Sequence, residues 1–408
     1  MKLWKVLFVT TSTKSYIFSQ TFRMTRLTLL VFIFLFSLIS CVEKKYNTEK
    51  KTTIPITEKI GQMIMVGFRG TEVGKNDPIY EMIANYNIGG VVLYSRDLPS
   101  KETVKRNVVS PSQLKKLNAD LQAIDSTKLL IGIDEEGGFV TRLSIKDGFQ
   151  YHKSHQAIGT IANLDSTRLW AANMAKELAS LGINMNFGPV LDLNTNPENP
   201  VIGKRERSFS DSLQLVSEFG KIFMEEHQKR NIVTTPKHFP GHGSSATDTH
   251  KGLADVTKTW NYSEVAPFSS LMKSGHAKVL MTSHVYNEIL DTLPATLSTK
   301  IIKKILRENY GFDGVIISDD MQMRAISNFY EFETAIEKAI IAGVDMLLFS
   351  NNAAPCAENA PDCIEIPFDP EIAKRAINHI LKLVEEGKIS EERIDESYQR
   401  ILALKKQL

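Results

Sequence analysis

The stretch Lys237-His238-Phe239-Pro240-Gly241-His242-Gly243, followed after a short polar run by Asp248-Thr249-His250, gathers groups that can move protons. Ile232-Val233 and Thr234-Thr235 lead into it like the end of a strand, whereas Pro240, Gly241 and Gly243 exclude a helix and favour a mobile loop. In Asp248-x-His250 a carboxylate two residues from an imidazole can bond one ring nitrogen, fix the tautomer and raise the basicity of the other nitrogen. Two other readings stay open on these residues alone: a structural loop whose histidines bond backbone, and a metal site built from His238, His242 and His250. The second is weak, because His-x3-His ligand pairs need a helical turn to bring both rings onto one face.

A second constellation lies at Gly314-Val315-Ile316-Ile317-Ser318-Asp319-Asp320-Met321. An apolar strand here delivers two carboxylates to its end, and an ionised one can attack an electrophilic carbon, as retaining glycosidases require. The competing reading is an aspartate that caps the next helix.

These groups need a scaffold that brings strand ends together. Short apolar runs recur at Gly61–Phe68, Ile88–Tyr94, Leu129–Glu135, Ile183–Asp192, Ile232–His238, Lys278–His284, Gly314–Asp319 and Val344–Ser350. Between and after them lie amphipathic segments such as Thr167–Leu181, Asp211–Arg230, Ser298–Asn309, Phe332–Ala342, Pro370–Gly387 and Ser390–Lys406, with apolar residues three and four apart. Eight buried strands alternating with helices describe an α/β fold, a (β/α)8 TIM barrel forming a single catalytic domain over residues 59–408. A barrel demands polar groups at the carboxyl ends of its strands. Asp134-Glu135-Glu136, Asp192, Lys237-His238, Ser283-His284 and Asp319-Asp320 all meet that demand.

Composition narrows the partners. The 408 residues are 42% hydrophobic and 24% charged, which are ordinary globular values. The formal net charge of +2 depends on five bases in residues 1–40; without them 44 bases face 47 acids, leaving no basic surplus for a nucleic-acid partner. Arg26 precedes Leu27–Ser40, fourteen mostly apolar residues that fit the core of a secretory signal better than a membrane span. Leu38-Ile39-Ser40-Cys41 resembles a bacterial lipobox, which implies a signal over 1–40, acylation of Cys41, a polar tether over 42–58 and an exported, membrane-anchored protein. Val42 after the cysteine points to outer-membrane sorting, and a start at Met24 would shorten the leader. Beyond an export signal the compartment is oxidising, so Cys356 and Cys363 are expected to close their Pro-containing loop as a disulfide, two free thiols being the alternative.

From about Ile60 to Leu402 the chain resembles glycoside hydrolase family 3, in particular its single-domain β-N-acetylhexosaminidase branch. The carriers are Gly132-Ile133-Asp134-Glu135-Glu136-Gly137-Gly138 with Val140 and Arg142, Asn186–Asp192, Asn199–Gly203 with Arg207-Ser208-Phe209, the Lys237–His250 loop, and Ile317–Met321. The resemblance implies a retaining, cofactor-free and metal-free exo-β-N-acetylglucosaminidase acting as a monomer on β-glucosaminides, peptidoglycan fragments above all. It assigns Asp319 as nucleophile, His250 as acid/base held by Asp248, and Asp134, Arg142, Arg207, Lys237 and His238 as ligands of sugar hydroxyls. This sequence departs from the pattern at Thr249 for serine, at Glu135 and Phe139 on the expected rim, and in a longer Arg207 segment that makes Arg205 a rival. Rival functions are a β-glucosidase or β-xylosidase, a phosphorylase of the same family, and a non-catalytic glycan-binding surface lipoprotein.

Overall fold

The computed structural model describes residues 54–100, 104–356 and 363–408. Cys41, the leader over 1–40 and most of the 42–58 stretch lie outside the described residues. No described helix is long and apolar enough to cross a membrane.

Eight short parallel strands form the centre of the unit Pro55–Leu408: β1 Ile64–Gly67, β2 Gly90–Leu93, β3 Leu130–Ile133, β4 Met185–Asn186, β5 Val233–Thr234, β6 Val279–Met281, β7 Val315–Ile317 and β8 Leu347–Phe349. Their registers run around a closed ring. Val66 pairs with Val91, Val91 with Ile131, Gly132 with Met185, and Met185 with Val233. Bridges Phe239 to Thr282 and Ile317 to Met346, with Leu280 paired to Ile316 and Met65 to Leu348, complete the circuit. The eight expected strands are all present, and the ring has the parallel order of a (β/α)8 barrel. Strand side chains such as Val66, Val92, Ile131, Leu280 and Ile316 are fully buried, and each contributes about 1.5–3 kcal/mol by leaving water.

The strands are shorter than the apolar runs, for local reasons. The run at Gly61 begins as helix Ile56–Gln62, where Ile56 and Ile60 repeat at helical spacing and Ile60, Gly61 and Gln62 are buried; the strand starts only at Ile64. Within Ile183–Asp192 the ladder is interrupted after Asn186 at Gly188-Pro189, and Val190 regains a bridge to Lys237. Pro236 has no N–H to donate, so the fifth strand also stops early while its direction continues to Lys237.

The helices follow the expected segments closely. Leu164–Ser180 starts one turn earlier than its apolar pattern because Asn163 caps it, accepting from the N–H of Ser166, and Ser212 likewise opens Leu213–Gln228 by accepting from Leu215. The cysteine loop after β8 is closed by the Cys356–Cys363 disulfide, with Cα atoms 5.8 Å apart. Arg324 holds that loop by donating to the carbonyls of Ala354 and Ile364.

Candidate active site

The carboxyl ends of β3, β4, β5 and β7 bring the expected residues to one mouth. After β3 the backbone alternation puts Asp134 and Glu136 on the same side and Glu135 on the other. Asp134 accepts from Arg142 at 2.9 Å and from Lys237 at 2.7 Å. Glu136 is engaged by both Nε and Nη2 of Arg207, at 2.8 and 2.9 Å, and by Lys237 at 2.6 Å. Two carboxylates and three cations thus form one network in which Lys237 bridges the acids. Burial alone would raise the acids, yet Lys237 and Arg142 hold Asp134 below the usual carboxylate range, and Arg207 and Lys237 hold Glu136 below it too. Arg205 is exposed, so Arg207 alone of the two arginines joins the site.

His238 is aligned from both ring nitrogens. Arg207 Nη2 lies 3.2 Å from Nε2 and can only donate, so Nε2 accepts and the proton sits on Nδ1, which donates to Asp192 Oδ2 at 2.7 Å. Asp192 also accepts from the backbone N–H of His238 and of His242. The three imidazoles that a metal would need face different partners: His238 faces Asp192, His242 Nε2 faces the Thr249 hydroxyl at 3.4 Å, and His250 faces Asp248.

The loop after β5 differs from a uniformly mobile one. From Lys237 to Ser245 it is buried, and much of its backbone is hydrogen-bonded to other segments. Asn199 donates to the carbonyls of His242 and Gly243, Trp260 donates to the Pro240 carbonyl, and Glu264 accepts from Gly243 and Ser244. Gly243 is needed because a Cβ there would lie 1.7 Å from the Leu193 carbonyl oxygen. Only the tip emerges. There Asp248 Oδ1 accepts from both the backbone N–H and Nδ1 of His250, at 2.9 and 2.8 Å. Thr249 is buried under the tip and accepts from Ala325 through its carbonyl, so the methyl-bearing residue anchors the pair instead of disturbing it.

At the end of β7 the two aspartates separate by role. Asp320 accepts from Gln322 N–H and from the N–H and hydroxyl of Ser350, so it ties the end of β7 to the end of β8; it does not cap the next helix, Arg324–Ser327, whose N-cap is Met323. Asp319 accepts one hydrogen bond among the described residues, 2.8 Å from the N–H of Asp320. Burial would raise its carboxyl, but electrostatic interaction with the neighbouring His284 and His238 rings, with smaller help from that N–H and His250, holds it below the usual range. His250 is shifted the other way: partial desolvation by the surrounding mouth would lower it, but Asp248, by hydrogen bond and charge, and then Asp319 raise it. The arrangement pairs a carboxylate that stays ionised with an imidazole that keeps its proton to higher pH.

Sequence reasoning assigned no role to Glu136, Asp192, His284 or Tyr94. Glu136 was accessible through strand alternation from Asp134. His284 donates to the Asp320 carbonyl at 2.9 Å and accepts from Thr296, which places its ring beside Asp319. Tyr94, at the end of β2, lies under the Arg142 guanidinium, 5.4 Å from it. Glu135 turns inward to Thr141 and is not on the rim, where Phe139 stands exposed.

Residues 55–404 match the family model described as glycosyl hydrolase family 3 N terminal domain. The chain is 33% identical to a β-hexosaminidase of Nitrosomonas eutropha over 71% of this chain and 80% of that one. It is 28% identical to β-hexosaminidase A of Pseudoalteromonas piscicida over 91% of this chain and 64% of that protein. A solved glycoside hydrolase family 3 β-N-acetylglucosaminidase from a Paenibacillus species superposes with a TM-score of 0.76 at 36% identity, covering 87% of this chain and 63% of the other. The chain therefore spans less than two thirds of the length of these last two proteins. With a match that takes in every strand of the barrel and the loops that carry its polar mouth, the chain belongs to glycosyl hydrolase family 3.

Proposed function

We propose that the chain is a retaining exo-β-N-acetylhexosaminidase that removes terminal N-acetylglucosamine from β-glucosaminides, its natural substrates being peptidoglycan fragments. The observation that carries the reading is Asp319, ionised and hydrogen-bonded through a single backbone N–H, within the electrostatic reach of the Asp248–His250 pair. In the first step the Asp319 carboxylate bonds to the anomeric carbon as the glycosidic C–O bond breaks, and His250 gives its Nε2 proton to the leaving oxygen. In the second, His250 takes a proton from water as that water displaces Asp319. Asp248 keeps the imidazole in the required tautomer throughout. Asp134, Arg142, Lys237, Arg207 and His238 hold the sugar hydroxyls; the network among them fixes each donor before substrate arrives. The names of the relatives, β-hexosaminidase and β-N-acetylglucosaminidase, support the acetylated sugar as substrate.

The leader and lipobox support an exported enzyme anchored through acylated Cys41, which mass spectrometry of the membrane-extracted protein tests: acyl chains on an N-terminal Cys41 are expected. For activity, a form spanning residues 42–408 is offered the p-nitrophenyl β-N-acetylglucosaminide and β-glucoside with and without phosphate. Turnover of the acetylated sugar independent of phosphate is the expected result. Preference for glucose, or a sugar phosphate as product, overturns the reading.

A further inference from the structure

Glu264 sits on the short helical turn Tyr262–Val265, 1% exposed, beneath the root of the loop whose tip carries Asp248 and His250. It has no access to the mouth and no cation partner among the described residues. Its Oε2 accepts the backbone N–H groups of Gly243 at 3.1 Å and Ser244 at 3.4 Å. Gly241, at φ +119, crosses it so closely that a Cβ would come within 2.6 Å of Glu264 Cβ. The same peptides are held from their other side: Asn199 donates to the His242 and Gly243 carbonyls, and Asn196 donates to that of Ser245. From there the Ser245 hydroxyl bonds both the carbonyl and the N–H of Thr247, the residue before Asp248. The backbone leading from Gly243 to Thr247, and so to the dyad, is thus held by a series of hydrogen bonds that begins at Glu264.

Burying a carboxyl without a cation is costly, and the site bears signs of that cost. Glu264 Oε1 and His242 Nδ1 are both buried without a hydrogen-bond partner among the described residues. Burial drives the Glu264 carboxyl up to about 7, the Asp192 charge pushing the same way and the Ser244 groups opposing. An apolar residue would fill this place at less expense unless the two accepted N–H groups mattered.

We propose that Glu264 is a positioning residue for the acid/base: by clamping the N–H groups of Gly243 and Ser244 it fixes the root from which the Asp248–His250 tip reaches toward Asp319. This inference rests on the reading of His250 as acid/base. It gives Glu264 a different role from the sugar-holding cluster, because loss of the clamp misplaces a proton donor and leaves the hydroxyl ligands where they were.

The test compares the wild-type form spanning residues 42–408 with Glu264→Ala, Glu264→Gln and His250→Ala. kcat and KM are measured for aryl β-N-acetylglucosaminides running from good to poor leaving groups, alongside Tm and hydrogen exchange of the peptide covering residues 240–253. Glu264→Ala is expected to lower kcat about 10- to 100-fold for the poorest leaving group, the scale of a misplaced catalytic group. Activated leaving groups should suffer much less, KM should hold within about twofold, and the loop peptide should exchange faster. Glu264→Gln keeps an oxygen acceptor where full charge is not required, so it should stay within about threefold of wild type. If the alanine variant does not fold, Glu264→Asp, one methylene shorter, withdraws the acceptor and should show the same leaving-group bias in milder form. Losses that are equal across leaving groups and follow Tm, or unchanged exchange and kinetics, overturn the proposal alone when His250→Ala shows its own leaving-group bias. A wild type without turnover, or a His250→Ala variant without that bias, overturns the acid/base reading and this inference with it.

Discussion

Two polar assemblies share the mouth of the barrel and are built in opposite ways. The network of Asp134, Glu136, Lys237 and Arg207, proposed to face the sugar, is sunk into the strand ends, with Glu136 and Lys237 almost wholly buried and every charge matched by an opposite one. The Asp248–His250 pair rides on an exposed tip, with the imidazole side chain 64% exposed and a single carboxylate partner. The contrast fits the tasks proposed for them. Hydroxyl recognition needs donors and acceptors fixed in advance, which a buried multi-charge network supplies because each side chain is over-determined. A proton carrier must meet both a departing aglycone and an incoming water, and a tip held at its root and open at its end can do so.

The sharpest test of the common centre is Asp319→Ala. It removes the proposed nucleophile that both assemblies face, so kcat should fall by about 10⁴-fold or more. Tm should barely move, since one backbone N–H is all that loses a partner. Turnover near the wild-type level would remove the nucleophile assignment and the shared centre with it.

Next in size is Glu136→Ala, which should separate the assemblies through stability. It leaves Arg207 and Lys237 buried beside each other with their shared carboxylate gone, a class of change that costs about 3–5 kcal/mol. A large fall in Tm together with weakened substrate binding is expected. An unchanged Tm would show that the network is not the rigid platform its geometry describes. The opposite signature belongs to His250→Ala: kcat down by about 10²–10⁴-fold for poor leaving groups, with Tm close to wild type because the ring is exposed.

How much of this was legible from the chain follows the same division. The barrel could be read because buried parallel strands are continuous apolar runs, and the polar residues ending them marked the mouth. The dyad could be read because its partners are two residues apart. What stayed hidden was pairing across the barrel: Lys237 meets Glu136 a hundred residues away, and Asp192 meets His238 across the β4–β5 boundary. Local spacing holds no record of such contacts. The buried root of the loop was missed for a related reason, since Pro and Gly forecast an absence of regular structure, and rigidity here comes from Asp192, Asn199 and Glu264, donors and acceptors on other segments. On the residues alone the division between Asp319 and Asp320 was likewise invisible, because only the approach of Ser350 identifies the second as a structural tie between strand ends.

The smallest expected effect is the most specific to the exposed pair. The proposed mechanism requires Asp319 ionised and His250 protonated in the first step, so the rate should fall on the acid side as pH drops through the lowered Asp319 value and on the basic side as pH rises through the raised His250 value. Asp248→Asn removes the carboxylate that raises His250 by hydrogen bond and charge. The imidazolium then loses its stabiliser, its proton leaves at lower pH, and the basic limb of kcat/KM should move toward acid while the acid limb stays in place. The cluster proposed to hold the sugar lies outside this exchange, so KM well below the basic limb should be preserved. A pH–rate series on wild type and Asp248→Asn decides it: an unmoved basic limb would mean that Asp248 does not set the His250 proton, and a displaced acid limb would mean that Asp248 also sets the proton on Asp319.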